Sequence, residues 1–385
     1  MPYTAIVIFT HHKTAADCAA RRGTLHLPHA PHIPTPVFMP VGTQGTVKAM
    51  TPEEVSELGF QLILGNTYHL YLRPGSDRVA RFGGLHRFAG WDGAMLTDSG
   101  GYQVFSLKEL RTITEEGVRF RSVLDGSFHD FTPERVMQIE HELGADIIMA
   151  FDECPPYPAT HEYAQNSTER THRWAERCLT EHARLGGDAS GSNLFGIVQG
   201  GTYDDLRVQS ATVISGLPFA GIAVGGVSVG EPPAEMRRIL DVTMPHLPRN
   251  KPRYLMGVGF PEDILDAVYR GVDMFDCVLP TRMGRNGTLF TSRGRINITN
   301  ARWKDEPGPV DPECTCRVCQ RHSAAYLRHL HEAKEILAAR LATYHNLAFY
   351  ARLMEQIRQA IDQDRFVQFR AECYTKWGRN DDVEL

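Results

Sequence analysis

The sequence has no apolar run of membrane-spanning length and no recognisable export signal. Its start, MPYTAIVIFT, contains a short apolar patch without a basic region before it or a small-residue cleavage site after it. Internal repeats and low-complexity segments are also missing. The composition, 42% hydrophobic and 23% charged over 385 residues, is ordinary for a globular protein with a large core. We therefore expect a cytoplasmic globular protein.

An overall excess of basic residues is missing too, since the net charge is −5. This balance argues against indiscriminate binding of nucleic acids. The charge is unevenly placed, however, because residues 281–345 contain 11 Lys or Arg against 6 Asp or Glu. A basic segment on an acidic body suits a polyanion that docks on one face, and ordinary charge scatter on a helical surface explains the numbers equally well.

The eight cysteines are not spread like the disulfide framework of a secreted protein. Cys314, Cys316 and Cys319 fall within six residues, and His345 follows after 25 more. Three thiolates and one imidazole fill the tetrahedral shell of Zn²⁺ and leave no position for water. The pattern therefore predicts one structural zinc ion per chain.

The choice of His345 as the fourth ligand is an inference, since His322, His329 and His331 are nearer in sequence. We place these three inside a helix over about residues 320–341. A ligand that returns from the far end of this helix closes the unit better, which favours His345.

Further histidines lie near the N-terminus, where no Cys or carboxylate joins them at ligand spacing. We interpret this region as a polar arm with surface histidines, which are His11, His12, His26, His29 and His32.

Short apolar runs alternate with amphipathic segments along most of the chain. The apolar runs span residues 61–66, 94–100, 146–153, 193–201, 220–226, 253–259 and 274–280. The predicted helices between them include residues 133–144, 161–186, 203–216, 232–247 and 261–272. Continuous apolar strands that alternate with helices predict a parallel sheet covered on both faces. Seven or eight such α/β units without a G-x-G-x-x-G turn favour a closed (β/α)8 TIM barrel over a doubly wound sheet.

We divide the chain into three parts. Residues 1–280 form the main part of the barrel. Residues 281–345, with a β-like stretch, a Pro/Gly loop and the cysteines, form a zinc-binding insertion near the C-terminal end. Residues 346–385 supply C-terminal helices that complete the fold.

Functional side chains cluster at or just past the ends of the apolar runs. In a barrel these ends share one face, where the active site is built. The residues at these positions are Asp98, Asp152, Gln199, Gly226, Met256 and Asp276.

Two segments carry most of the reactive groups, LTDSGGYQVFSL (96–107) and GVDMFDCVLPTRMGRNG (271–287). Asp98 precedes small residues and an aromatic residue, and Asp276 precedes two arginines that could hold phosphates. A carboxylate beside arginines stays ionised, as a nucleophile must be. Spacing alone leaves open which of the two attacks, and an Asp at a strand end can also be a helix cap.

Together with FDEC (151–154), GIVQGG (196–201), AVGG (223–226) and the Cys3His set, these segments resemble the bacterial-type tRNA-guanine transglycosylases of the queuine tRNA-ribosyltransferase family. The resemblance runs in order from about residue 5 to residue 370. It implies a (β/α)8 barrel with a zinc-bearing insertion, a homodimer and a pentosyltransferase activity. The implied reaction replaces guanine at the wobble position, 34, of tRNAs with a GUN anticodon, which are those for Asp, Asn, His and Tyr.

The resemblance also implies residue roles. Asp276 corresponds to the nucleophile that attacks ribose C1′, and Asp98 corresponds to the acid/base residue. The remaining groups bind the base or the RNA: Asp152, Gln199 and the Gly226 backbone at the base edge, Tyr102 and Met256 on the two faces of the ring, Ser99 beside the pocket, and Arg282 and Arg285 on the tRNA backbone.

Elementary chemistry agrees with these roles. Exchange of a base with retained stereochemistry is most simply two inversions, which require a carboxylate that bonds to the sugar carbon. A second carboxylate must move a proton between the leaving and incoming bases. The target base must leave the anticodon stack and enter a pocket. No ATP or redox cofactor is needed, and the sequence contains neither a Walker loop nor a dinucleotide fingerprint.

The incoming base is expected to be 7-aminomethyl-7-deazaguanine, a step of queuosine biosynthesis, because Cys154 and Val229 resemble the bacterial members. Queuine remains the alternative. Glu231 is a candidate acceptor for the aminomethyl group. The chain departs from the family pattern at Phe260, where many bacterial members have a lysine that meets a phosphate, so one phosphate contact is in doubt.

Two other functions are considered. A non-catalytic tRNA-binding subunit of the same fold would lack catalytic residues, whereas Asp98 and Asp276 are both present. A metal-dependent hydrolase on the same barrel would display a His-x-His pair on an early strand, and none is found there.

Overall fold

The computed structural model describes residues 7–107 and 110–378. Its strands are β1 (Phe9–Thr14), β2 (Arg21–Leu27), β3 (Ala30–Thr35), β4 (Val37–Pro40), β5 (Leu62–Asn66), β6 (Ala94–Asp98), β7 (Arg111–Ile113), β8 (Val118–Arg121), β9 (Phe128–Phe131), β10 (Ile147–Met149), β11 (Asn193–Val198), β12 (Gly221–Val224), β13 (Arg253–Leu255), β14 (Met274–Cys277), β15 (Thr288–Thr291) and β16 (Gly294–Asn297). Its helices are α1 (Pro52–Glu57), α2 (Thr67–Leu72), α3 (Ser76–Arg81), α4 (Leu85–Ala89), α5 (Gly101–Phe105), α6 (Pro133–Leu143), α7 (His161–Arg184), α8 (Asp204–Gly216), α9 (Pro233–Thr243), α10 (Pro261–Tyr269), α11 (Leu279–Arg285), α12 (Arg317–Arg321), α13 (Ala324–Glu332), α14 (Ile336–Asp362) and α15 (Phe366–Lys376).

Within the described residues, eight parallel strands form a nearly closed barrel in the order β4-β5-β6-β10-β11-β12-β13-β14. Strand β14 pairs with β4, and a backbone hydrogen bond of 2.6 Å from Gly42 N to Leu64 O joins β4 to β5. The predicted (β/α)8 barrel is confirmed. Seven strands lie in the predicted apolar runs, whereas β4 was missed because four residues flanked by Pro36 and ending at Pro40 do not resemble a central strand.

Side chains along each barrel strand point alternately to the inside and the outside of the barrel, which separates two apolar layers. Leu64 and Leu96 belong to an inner cluster, whereas Ile63 and Met95 belong to the outer cluster that includes the helices. The inner cluster also contains Leu25, Leu27 and Ile33 of the antiparallel sheet β1-β2-β3. This sheet therefore covers one end of the barrel interior and leaves the other end for a site.

The prediction of an N-terminal arm is wrong, because these histidines lie on and beside the ordered sheet β1-β2-β3. The predicted surface position is confirmed for all of them except the half-buried His26. His29 Nδ1 lies 2.8 Å from Oδ1 of Asp146, and His86 Nε2 lies 2.8 Å from Oδ2. Asp146 is 117 residues from His29 in sequence, so local spacing could not reveal that a carboxylate joins this histidine.

The predicted helix over residues 320–341 has the wrong bounds. Helix α13 ends at Glu332, Lys334 takes a left-handed backbone conformation with φ 57°, and α14 begins at Ile336. His345 therefore lies inside α14, which packs against α11 and β4. The division of the chain into three parts remains a prediction. Of the described helices, none is both long and apolar enough to cross a bilayer.

Candidate active site

A cavity of about 490 Å³ opens at the C-terminal ends of the barrel strands. All six residues predicted from the strand ends line it, and so do Ser99, Tyr102 and Arg282. Arg285 lies on the same helix, α11, as Arg282 but does not line the cavity. The parallel barrel brings these side chains together because every strand delivers its last residue to the same rim.

Asp276 on β14 is held through one carboxylate oxygen. Its Oδ1 accepts a hydrogen bond of 2.6 Å from the Tyr254 hydroxyl and one of 2.7 Å from Gly257 N. Among the described residues, no donor bonds to its Oδ2. Burial raises the pKa of Asp276 to about 6, against the lowering effect of the Tyr254 and Gly257 hydrogen bonds. The carboxylate is thus ionised near neutral pH and has an oxygen available for a ligand.

Asp98 on β6 is held through both oxygens. Its Oδ2 accepts from Asn66 Nδ2 at 2.5 Å and from Gln103 Nε2 at 2.9 Å, and its Oδ1 accepts from Thr67 N at 2.9 Å and from Gly100 N at 3.3 Å. Burial raises the pKa of this carboxyl, and the same four donors oppose the rise. Asp98 is therefore fixed in place by hydrogen bonds to both of its oxygens.

The base-edge candidates form a third buried group. Asp152 Oδ2 accepts a hydrogen bond of 2.6 Å from Gln199 Nε2, and its Oδ1 accepts one of 3.2 Å from the Ser99 hydroxyl. Burial raises the pKa of Asp152 to about 6, and the charge of Asp98 adds to the rise. Gln199 Oε1 is buried without a hydrogen-bond partner among the described residues. An unpaired buried acceptor costs about 1–3 kcal/mol, so this site favours a ligand with N–H donors.

Gly226 follows β12 in a left-handed conformation, with φ 66°. A Cβ at this position would lie 2.3 Å from Gln199 Oε1, so only glycine allows this close approach. The buried Arg207 guanidinium donates to the carbonyl oxygens of Gly225 at 2.8 Å and Gly226 at 3.2 Å. It also donates to Gly201 O at 2.7 Å, so one side chain joins the loops after β11 and β12.

Tyr102 is 56% exposed although it lines the cavity, so its ring is available for stacking. Met256 lines the same cavity. Arg282 and Arg285 make no side-chain hydrogen bond or ion pair with the described residues, and Arg285 Nη1 is buried without a partner. Burial and the nearby Arg282 lower the pKa of Arg285. Two neighbouring guanidinium groups without carboxylates suit a polyanionic ligand.

The cysteine cluster can hold a metal ion. The ligand atoms of Cys314, Cys316, Cys319 and His345 all lie within 4.8 Å of one another. His345 Nε2 is 2.8 Å from Phe290 O, so it carries the proton and donates to that carbonyl. Its Nδ1 lone pair then faces the sulfurs of Cys319 at 3.3 Å and Cys316 at 3.7 Å. This tautomer and donor set fit a zinc ion.

Sequence reasoning missed the residues that hold the carboxylates in place. Tyr254 stands within an apolar run, where a barrel-core residue is expected, and Arg207 lies in the first turn of a helix. Asn66 is the last residue of the predicted run 61–66, and a polar residue at a strand end was the one signal that the sequence offered.

The fold and the site define a (β/α)8 barrel enzyme with three buried carboxyl groups, Asp98, Asp152 and Asp276, in the cavity at the strand ends. A sequence profile described as queuine tRNA-ribosyltransferase matches residues 17–379. A queuine tRNA-ribosyltransferase of Caldanaerobacter subterraneus subsp. tengcongensis is 58% identical over 368 residues, which cover 96% of this chain and 97% of the relative. The proteins of the same name from Shouchella clausii and Geobacillus thermodenitrificans are 54% and 56% identical and cover 98% and 96% of both chains. The chain belongs to the queuine tRNA-ribosyltransferase family and is a transferase.

Proposed function

We propose that this enzyme exchanges guanine 34 of tRNA for 7-aminomethyl-7-deazaguanine, in queuosine biosynthesis, through a covalent bond between Asp276 and ribose C1′. The observation that carries the proposal is the unequal bonding of the two carboxylates. Asp276 is held through Oδ1 alone, so Oδ2 keeps its lone pairs for attack. Asp98 accepts on both oxygens and is the poorer nucleophile.

The reaction then has two displacements. Asp276 Oδ2 bonds to C1′ while the C1′–N9 bond to guanine breaks, and Asp98 supplies the proton that the leaving base takes up. The incoming base gives its corresponding proton to Asp98 and attacks C1′, which releases the Asp276 carboxylate. Protons and bonds balance over the cycle, and the sugar carbon returns to its original configuration.

The extruded base is bound at its edge and its faces. The Asp152 carboxylate suits the N–H groups of a guanine-like edge, and the unpaired Gln199 Oε1 offers a further acceptor. Gly226 contributes its backbone N–H, and Tyr102 and Met256 take the two faces of the ring.

Choice of the aminomethyl base rests on the loop after β12. Glu231 accepts hydrogen bonds from the backbone N–H groups of Ser228 and Val229, the latter at 2.9 Å. Cys154 and Val229 line the cavity beside this loop. Release of these bonds would let Glu231 receive the aminomethyl cation, which queuine does not carry in the same form. Equal rates of incorporation for queuine and for the aminomethyl base by the purified enzyme would overturn this assignment.

Arg282 and Arg285 bind the phosphates of a tRNA with a GUN anticodon in this proposal. The enzyme works as a homodimer in the cytoplasm, where its RNA substrate is found. The Cys3His set holds one structural Zn²⁺, which ties the loop before α12 to α14 and takes no part in the chemistry.

The test is exchange of radiolabelled guanine into an anticodon stem-loop RNA. We expect exchange by the unchanged protein and a loss of at least about 10³-fold in Asp276→Asn, because the amide is not a nucleophile. Unchanged exchange by Asp276→Asn would refute the covalent route, and no exchange by the unchanged protein would favour the non-catalytic subunit. A hydrolase with a metal in the barrel mouth lacks support, since neither described metal-ligating cluster lies in the cavity.

A further inference from the structure

Arg295 lies over the ring of Phe260 at the edge of the cavity. Phe260 precedes α10 and lines the cavity that holds Asp276. Arg295 belongs to β16, and its guanidinium carbon is 4.9 Å from the centroid of the Phe260 ring. A cation over an aromatic face is attracted by the negative face of the ring. The contact therefore places Arg295 of β16 next to a residue that lines the cavity, although Arg295 itself does not line it.

The Arg295 guanidinium keeps its hydrogen-bonding capacity for a ligand. Within residues 7–107 and 110–378 it makes no side-chain hydrogen bond, and its one ion pair joins Nη2 to Glu262 Oε1 at 3.6 Å. That separation is longer than a hydrogen bond, so the pair orients the guanidinium without consuming its donors. The side chain is 41% exposed, so it is accessible from solvent.

We propose that Arg295 is an RNA-binding residue that contacts a phosphate of the strand entering the cavity, and that Phe260 holds it in position. The inference rests on the proposed function and extends its RNA interface beyond α11. Arg282 lines the same cavity with unused donors, and residues 281–345 carry the basic excess of the chain. A planar guanidinium with a free edge binds a phosphate through two parallel hydrogen bonds.

Phe260 acts on the RNA through Arg295 in this proposal. The guanidinium carbon lies over the ring at 4.9 Å from its centroid, so loss of the ring would remove the contact that holds Arg295 in this position. Replacement of the ring by leucine keeps an apolar side chain on the core but removes the aromatic face. Replacement of Arg295 by lysine keeps the charge but removes the planar pair of donors.

The experiment compares Arg295→Ala with Arg293→Ala. Arg293 precedes the same strand, has a side chain 71% exposed and approaches Glu313 only at 3.9 Å, so the control removes an equal charge from the same hairpin. Binding of an anticodon stem-loop RNA is measured from low to moderate salt, with kcat and KM for base exchange. We expect Arg295→Ala to bind about five-fold more weakly and to lose about 0.7 from the salt slope, as for one phosphate contact on a single strand.

KM for the RNA should rise in Arg295→Ala while kcat stays unchanged, and Arg293→Ala should match the unchanged protein. Arg295→Lys should keep the salt slope with intermediate affinity, and Phe260→Leu should weaken binding less than Arg295→Ala. Equal affinity and equal slope in Arg295→Ala and Arg293→Ala would overturn the inference. Absence of any base exchange by the unchanged protein would instead refute the proposed function, so the two failures are distinguishable.

Discussion

Removal of the Tyr254 hydroxyl should change the pH dependence of the enzyme. The hydroxyl donates to Asp276 Oδ1 at 2.6 Å, and the Tyr254 side chain is buried at 1% exposure. Hydrogen bonds to charged groups contribute about 1.5–3 kcal/mol, and one pKa unit corresponds to about 1.4 kcal/mol. Tyr254→Phe should therefore raise the pKa of Asp276 from about 6 by roughly one to two units.

The direction in which the pH profile moves follows from the protonation form of Asp276 that reacts. In the proposed mechanism the ionised carboxylate is the nucleophile, so kcat/KM for base exchange should rise with pH as Asp276 loses its proton. A higher pKa moves this acid limb to higher pH. Relative to pH 8.5, the variant at pH 6 should be slowed by about five-fold more for a shift of one unit and by about forty-fold more for two units. The assay is the pH profile of kcat/KM with a stem-loop RNA between pH 5 and pH 9.

Tyr374→Phe is the matched control. Tyr374 is also buried and donates to a carboxylate, Asp266 Oδ1, at 2.7 Å, but neither residue lines the cavity. This control should lose stability without moving the acid limb. A folded Tyr254→Phe protein with an unshifted acid limb would refute the reasoning, because the Tyr254 bond would then not set the ionisation of Asp276.

Three further outcomes are expected. Asp276→Asn keeps the Oδ1 acceptor and removes a buried charge. Folding raises the pKa of Asp276 from 3.8 to about 6, so ionisation of this carboxyl destabilises the native state as pH rises through this window. The free energy of unfolding of the variant, measured with urea, should therefore be higher by up to about 3 kcal/mol at pH 8 and no higher near pH 4. Gly226→Ala should lower kcat/KM by at least about 10²-fold with a preserved fold by circular dichroism, because its Cβ would displace Gln199; near-normal activity would contradict this. His345→Ala should lose bound zinc in elemental analysis and lower the thermal midpoint, and retention of one zinc ion per chain would contradict the assigned ligand set.

The fold was predictable because every barrel strand except β4 lies within an apolar run, and a helix follows most of these runs. The repetition of this strand–helix pattern along the chain indicates the barrel. Strand β4 was missed because it has only four residues, follows Pro36 and ends at Pro40, and the N-terminal sheet was missed because its strands were interpreted as an arm. The break at Lys334 was missed because nothing but a left-handed backbone marks the boundary between α13 and α14.

The lining of the cavity was predictable from strand ends and from family resemblance, whereas its hydrogen bonding was not. Tyr254 reads as an ordinary core residue, and only the register between β13 and β14 places its hydroxyl against Asp276. The four donors around Asp98 come from two segments, residues 66–67 and residues 100–103. Spacing therefore left open which carboxylate attacks, and the geometry of their hydrogen bonds favours Asp276.

The most direct test is to trap the covalent intermediate. The protein is incubated with an anticodon stem-loop RNA and a guanine-like inhibitor, denatured and digested, and the RNA-linked peptide is sequenced by mass spectrometry. We expect an RNA adduct on the peptide that contains Asp276, with the modification on that side chain. An adduct on Asp98, or the absence of any adduct under conditions in which guanine exchange proceeds, would contradict the account.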